Sequence, residues 1–416
     1  VRWFYECPTC GTRYDIQPGR YLCDRCAAGQ QPDQPLAGVL ECAWEGNVDG
    51  DGTDIPLPVA AEFFPPLPVG NTPLWAPQRL RQDTGFARLF LKDDTCQPTG
   101  SFKDRASYLV AAFARQHGIT EIALASTGNA ASSMAGIGAA AGLRITVFLP
   151  KRAPAAKRVQ VLQYGADLRE VDGTYDLAFD QSLAYSAANG VLSRNTAYNP
   201  LTIEGKKTVS FEIVRDLAAA GVELDRGSAA RATSTADGVL AGDTASGAPS
   251  AAQPADGLHV FVPTGDGVII AGVFKGFEDL VRLGRLEKVP TIWACQAQGS
   301  SAIARALASG SFGAPVTSDT LADSISVDVP RNGAHALAKL RKYNGRAVVV
   351  SDTEILAAQR ELASRSGLFA EPSSSAAWAG FRKVAGELSK DATIVVMITG
   401  SGLKDIAGAM RGLGLG

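Results

Sequence analysis

The sequence predicts an α/β fold with doubly wound parallel sheets in two domains, preceded by a small N-terminal ribbon. Three observations carry this reading. Short β-rich runs alternate with alanine-rich amphipathic segments from about Val59 onward. A chain of 416 residues exceeds what a single growing core accommodates. The first fifty or so residues carry two Cys-x-x-Cys pairs and little that can form a core.

Taken in chain order, the ribbon comes first. Cys7-Pro8-Thr9-Cys10 and Cys23-Asp24-Arg25-Cys26 are separated by twelve residues that include Gly11, Pro18 and Gly19. Two such turns joined by a short ribbon present four thiolates to one tetrahedral metal, so Cys7, Cys10, Cys23 and Cys26 are expected to hold a structural zinc. Four thiolates leave no open coordination position, which excludes a catalytic role for that metal. A ribbon without metal and a redox pair are the other readings of the same spacing. Cys42, Cys96 and Cys295 are expected to be ordinary thiols.

Strands are expected at 88–92, 122–125, 145–149, 167–171, 259–262, 291–295 and 394–398, with helices over 104–117 and 130–141 among those between them. Such alternation makes βαβ units and parallel sheets, whose ligands bind at the C-terminal ends of the strands. The expected division is a zinc-ribbon-like segment over 1–45, a large cofactor-binding domain from 46–102 and 205–416, and a small domain over 103–204. Residues 226–257, dominated by Ala, Ser, Gly, Thr and Asp, have almost nothing large to bury and are expected to be a flexible insertion in the large domain.

Composition narrows the partners. Forty basic against forty-two acidic residues, with no basic run or aromatic-interleaved basic stripe, argue against a nucleic-acid partner. The apolar runs are too short to span a bilayer and the N-terminus lacks a secretion pattern, so a soluble cytoplasmic protein is expected.

The chemistry concentrates in four polar turns that follow predicted strands. Lys103 stands in Pro98-Thr99-Gly100-Ser101-Phe102-Lys103-Asp104-Arg105, at the start of a helix with Thr99 and Ser101 as expected N-caps. The positive end of the helix disfavours its protonated form and favours a nucleophilic amine. Ser126-Thr127-Gly128-Asn129-Ala130 opens the next helix, where free backbone amides bind anions; a capped helix without a ligand is the other reading. Thr264-Gly265-Asp266-Gly267-Val268 leaves a strand for a helix, and its glycines let backbone approach a phosphate. The Asp266 carboxylate is expected to point away from that phosphate or to cap the following turn. Thr399-Gly400-Ser401-Gly402 follows the last apolar strand.

Pro98 to Arg105 resembles the Schiff-base lysine motif of the threonine synthase group, within the fold-type II pyridoxal-phosphate enzymes (tryptophan synthase β-like). The resemblance runs in order from about Thr72 to Asp405. It implies that Lys103 is the catalytic lysine that holds pyridoxal 5'-phosphate covalently. It further implies that Ser126, Thr127, Gly128, Asn129 and Ala130 grip the substrate carboxylate and that Asn129 meets the cofactor's phenolic oxygen. Thr264, Gly265, Asp266, Gly267 and Val268 would form the phosphate loop, and the Thr399 hydroxyl would meet the pyridine nitrogen. A hydroxyl does not hold a full proton there, which favours elimination and replacement over transamination. The implied enzyme is a lyase that takes a small amino-acid substrate, O-phosphohomoserine, to threonine and phosphate by γ-elimination and β-addition of water, and it is implied to be a homodimer.

One position departs from this resemblance. Relatives that take O-phosphohomoserine commonly carry an arginine shortly after the Asn-Pro pair, and Thr202 stands there after Asn199-Pro200. Losing a guanidinium removes a strong contact to a dianion, with Lys206, Lys207 and Arg331 as the candidate replacements. This keeps a second reading in view, β-replacement or β-elimination on serine, threonine or O-phosphoserine. A non-catalytic binding protein is a third, opposed by the joint retention of Lys103, Asn129, the glycine turn and Thr399.

Overall fold

The computed structural model describes residues 1–31, 33–48, 55–126, 128–151, 155–173, 175–224 and 257–415. The insertion expected over 226–257 therefore lies, apart from Gly257, outside the described residues. Strands β1 (Arg2–Glu6), β2 (Arg13–Tyr14) and β3 (Glu41–Glu45) form an antiparallel ribbon in the order β2-β1-β3. The second cysteine pair sits on a one-turn helix, Asp24–Ala27, rather than on a second plain turn. No helix among the described residues is long and apolar enough to cross a membrane.

Beyond the ribbon come β4 (Leu74–Trp75) and β5 (Leu89–Asp93), then β6 (Glu121–Ala125), β7 (Arg144–Pro150), β8 (Asp167–Val171) and β9 (Leu192–Ser193). The last four are β10 (Leu258–Pro263), β11 (Thr291–Ala297), β12 (Arg346–Val350) and β13 (Thr393–Ile398). One sheet runs β12-β11-β10-β13-β5-β4 and is parallel except for the antiparallel edge strand β4. The other runs β8-β7-β6-β9 and is parallel throughout. The expected α/β class with parallel sheets is what is found; β4, β9 and the edge strand β12 add to the strands read from sequence.

The six-stranded sheet is buried on both faces because its residues alternate between two cores. Leu91, Phe261, Trp293 and Val396 pack with Trp378 and Phe381 of the helix Pro372–Val384. Phe90, Val260, Ile292 and Val395 pack with Phe274 and Phe277 of the helix Val268–Arg282. The ribbon does not stand alone: Tyr5, Leu40 and Cys42 share a core with Leu109 and Phe113 of the helix Lys103–Gln116 and with Ile122 and Leu124 of β6.

A buried ionic network fixes the start of the helix Lys103–Gln116. Arg105 Nε and Nη2 donate to the two Asp94 oxygens at 2.9 and 2.8 Å, and Nη2 also donates to Glu212 Oε2 at 2.8 Å. Lys92 Nζ reaches the same Glu212 at 2.8 Å and Asp216 at 2.9 Å. Burial alone would raise the Glu212 carboxyl, but Arg105 and then Lys92 hold it well below the ordinary carboxylate range. A group depressed in this way stabilises the fold above its ordinary value and loses that contribution as pH falls. Arg105→Met, which strands the buried Asp94 and leaves Glu212 paired with Lys92 alone, is expected to destabilise the protein by about 3–5 kcal/mol near neutral pH. Urea unfolding should show the gap from wild type narrowing as pH drops below the ordinary glutamate value of 4.5.

Candidate active site

Four strands deliver the four polar turns to one side of the molecule. β5 ends at Asp93 and leads to Lys103, β6 ends at Ala125 before Ser126, β10 ends at Pro263 before Thr264, and β13 ends at Ile398 before Thr399. In the large sheet β13 lies between β10 and β5, so three of these turns are neighbours at C-terminal strand ends, where open parallel sheets bind ligands.

Three of the turns line a cavity of about 510 Å³, within the range of small-molecule sites. Lys103, Ser126, Gly128, Asn129 and Ala130 line it, and so do Thr264, Gly265, Asp266, Gly267 and Val268. Thr127 lies outside the described residues. Thr399 is not among the lining residues; its carbonyl accepts the Phe102 amide at 2.9 Å, and its own amide donates to Ser374 Oγ at 2.7 Å. The four cysteines are elsewhere, in the ribbon.

The turn before Lys103 is held differently from the sequence expectation. No side chain caps this helix from Phe102, so neither Thr99 nor Ser101 serves as its N-cap. Instead Asp104 folds back and accepts from the Thr99 amide at 2.7 Å and from the Thr99 hydroxyl at 2.5 Å. Ser101 lies opposite Gly400 in an antiparallel bridge whose bonds run from the Phe102 amide to Thr399 O and from the Ser401 amide to Gly100 O, and Lys404 Nζ ties Thr99 O to Ser132 Oγ at 2.9 Å each. The amine of Lys103 is pushed down to about 8, chiefly by burial and also by Arg194, against the opposing pull of Glu371 and Asp266. Burial thus does the work that the sequence assigned to the helix terminus.

Both flanking helices start without a side-chain cap: Asn129–Ala141 from Gly128 and Val268–Arg282 from Gly267. Uncapped amides at such ends, with the helix dipole behind them, are anion sites. The Asp266 carboxylate accepts the Arg331 amide, so it caps a distant turn rather than its own. Burial raises this carboxyl to about 6. Asn129 Nδ2 donates to both oxygens of Glu371 at 3.0 Å, and burial raises the Glu371 carboxyl.

Glu371 lies in the run Glu371-Pro372-Ser373-Ser374-Ser375-Ala376 that shares the family resemblance, but sequence reasoning gave it no role, and it did not single out the wall formed by residues 323–329. Glu371 stands beside Pro372, which opens a helix, and that Glu-Pro junction was its only local sign. The wall carries no motif. It is placed by the Ser300 hydroxyl, which accepts the Val327 amide at 3.0 Å, and by the Ser324 amide donating to Ser373 Oγ at 2.8 Å. It approaches so closely that a Cβ on Gly265 would stand 2.6 Å from Ile325 Cα, so only glycine fits in that turn.

The residues present suit pyridoxal phosphate: a cavity of the right size, an amine of lowered basicity, and an uncapped glycine-flanked helix start for a phosphate. A family described as pyridoxal-phosphate dependent enzyme matches residues 66–400. The chain belongs to that family. Over 96% of its length it is 30% identical to the threonine synthase of Methanosarcina acetivorans, covering 92% of that protein. It is 33% identical to the threonine synthase of Halalkalibacterium halodurans, over 85% of this chain and 88% of the relative. Among solved structures it resembles the processed form of threonine deaminase isoform 2 from Solanum lycopersicum, with a TM-score of 0.65, 20% identity, and coverage of 96% of this chain and 94% of that one. Maize serine racemase gives a TM-score of 0.63 at 20% identity over 83% of this chain and 92% of that one. At that identity the two structures speak for the fold, that of the fold-type II enzymes.

Because attack on an aldehyde needs the neutral amine, Lys103 is expected to react with added pyridoxal phosphate at lower pH than an ordinary lysine. The rate of attachment, followed by absorbance, should rise with pH and level off above about 8. A borohydride-fixed mass increment should map to Lys103 and be absent from Lys103→Ala.

Proposed function

We propose that the protein is a threonine synthase, converting O-phosphohomoserine and water to threonine and phosphate. The observation that carries this is the full-length similarity to threonine synthases joined to a cavity that sets the Lys103 amine, of lowered basicity, between two uncapped helix starts. The fold neighbours named as deaminase or racemase match at 20% identity and carry no argument about substrate.

In this reading Thr264, Gly265, Gly267 and Val268 hold the cofactor's phosphate at the start of the helix Val268–Arg282, and Lys103 Nζ holds its aldehyde carbon. Ser126, Gly128, Asn129 and Ala130 receive the substrate's carboxylate at the start of the helix Asn129–Ala141. Thr399 is assigned to the ring nitrogen, and Asn129 to the ring oxygen with Glu371 orienting its amide. The cofactor, when bound, supplies delocalisation of negative charge from the substrate's carbon chain. Lys103 Nζ, freed once the substrate's amino group has displaced it, would move the protons: it would take one from Cα and a second from Cβ as the Cγ–O bond breaks with release of phosphate, and would return them to Cγ and Cα while water adds its hydroxyl at Cβ. The cavity's job is to hold the chain so that Cα and Cβ both stay within reach of that amine.

The ribbon fits a structural zinc. Its four sulfurs all lie within 4.8 Å of one another, with Cys7–Cys26 at 3.8 Å and Cys10–Cys23 at 3.6 Å. A tetrahedron with Zn–S bonds of ~2.3 Å has edges of roughly 3.8 Å. Cys7, Cys10, Cys23 and Cys26 would close the coordination shell and leave the metal no part in the reaction.

Two measurements test these assignments. Purified protein loaded with cofactor and given O-phosphohomoserine should release phosphate and threonine in equal amounts; ammonia from serine or threonine without turnover of the phosphorylated substrate would remove the assignment. Elemental analysis should find about one zinc per chain, and the Cys7→Ser plus Cys10→Ser variant should lose it. Stoichiometric zinc in that variant would show that the ligands lie elsewhere.

A further inference from the structure

Among the described residues, five lysines have buried side chains: Lys92, Lys206, Lys207, Lys275 and Lys339. Four of them are neutralised. Lys92 meets Glu212 and Asp216, Lys207 and Lys275 both meet Asp279, and Lys339 meets Glu41 and Glu278. Lys206 is the exception. It is fully buried, and its one hydrogen bond among the described residues runs from Nζ to Thr202 O at 2.9 Å. An ammonium has three donors, so two remain unused.

Lys206 also lines the cavity that holds Lys103. Its charge is opposed by its surroundings: burial and the nearby Arg194 and Lys103 push the amine well below its ordinary range, with only Asp266 pulling the other way. Among the described residues, no carboxylate on this wall forms an ion pair with it. Asp266 accepts the Arg331 amide and Asp328 accepts the Ser318 amide at 2.7 Å; Asp323 lies on the same wall. The stem is clamped, since a Cβ on Gly272 would stand 2.6 Å from Lys206 Cβ. A positive charge on this amine is unfavourable in the empty protein, and an incoming anion that pairs with the ammonium relieves that cost.

Two anions are already provided for in the assigned function, one at each uncapped helix start. A third receptor calls for a ligand with a further negative group. We propose that Lys206 receives the distal phosphate of the substrate, a phosphomonoester dianion at the end of an amino-acid side chain. The proposal rests on the threonine synthase reading for the identity of that substrate. Thr202 and Lys206 lie one turn apart on the helix Leu201–Lys206, with the Lys206 amine at the Thr202 carbonyl. A cation placed at either position therefore reaches the same part of the cavity, and Lys206 makes up for the absence of an arginine at 202. Lys207 cannot, because it is turned towards Glu204 and Asp279 under the ribbon tryptophans.

The test uses the holoenzyme and three variants, Lys206→Gln, Lys206→Met and the double change Thr202→Arg with Lys206→Gln. The single variants should raise KM for O-phosphohomoserine about 10- to 100-fold, the range for losing a charged hydrogen bond. Inhibition by inorganic phosphate should weaken by a similar factor, while cofactor affinity from absorbance titration stays unchanged. The double variant should recover most of the loss. If cofactor affinity falls and neither KM nor phosphate inhibition moves, Lys206 serves the cofactor's phosphate and the proposal is wrong. A fall in kcat alone, with KM unchanged, also overturns it. Calorimetric binding of inorganic phosphate to the wild-type and Lys206→Gln holoenzymes separates this proposal from the reading beneath it. Equal binding by the two sinks Lys206, whereas absence of threonine formation by wild type sinks the substrate assignment.

Discussion

The guanidinium of Arg105 fixes the place of the Lys103 amine. It lies two residues along the helix from Lys103 and is gripped by Asp94, from the turn that leads into that helix, and by Glu212, from the helix Thr208–Ala219. Lys92 from the adjoining strand closes the network on Glu212. A fully buried cluster of this kind contributes less to net stability than to position, because its charges tolerate only one arrangement. Position is what the chemistry needs: the amine must stand in the cavity, and the residues that hold it are all out of contact with that cavity's contents.

The same logic extends outward to the ribbon. Trp44 of β3 lies under the charge cluster of Lys207, Lys275 and Arg282, with the Arg282 guanidinium 4.3 Å from its ring centroid. The ribbon's Leu36 amide donates to Arg331 O at 2.8 Å, and Arg331 lines the cavity. His335 and Lys339, on the helix that follows, reach Glu41 of β3. The ribbon is thus packed against the elements that carry Lys206 and Arg331, and its effect on the site is mechanical.

Much of the site was legible because its parts are local. A small-polar turn between an apolar run and an alanine-rich helix is a pattern within ten residues, and the four such turns at Lys103, Ser126, Thr264 and Thr399 fall where strands end. The four cysteines were legible for the same reason. The contacts that orient these parts were not. Glu371 reaches Asn129 across 242 positions of sequence, and the wall at residues 323–329 lacks any motif. The origin of the Lys103 shift was misplaced as well: a helix start is visible in a sequence, whereas the burial that governs the amine comes from distant segments.

By itself the sequence determined the class of fold, and it pointed to the lysine, the glycine-bearing turns at strand ends and the four clustered cysteines, since each rests on short-range backbone geometry or on spacing along the chain. Tertiary structure alone decided which charges are neutralised. Lys206 and Lys207 are adjacent and identical as residues, yet Lys207 is paired with carboxylates beneath the ribbon while Lys206 lines the cavity with no carboxylate partner among the described residues. Successive residues on a helix point about 100° apart, so what each side chain meets depends on elements that the local sequence does not contain.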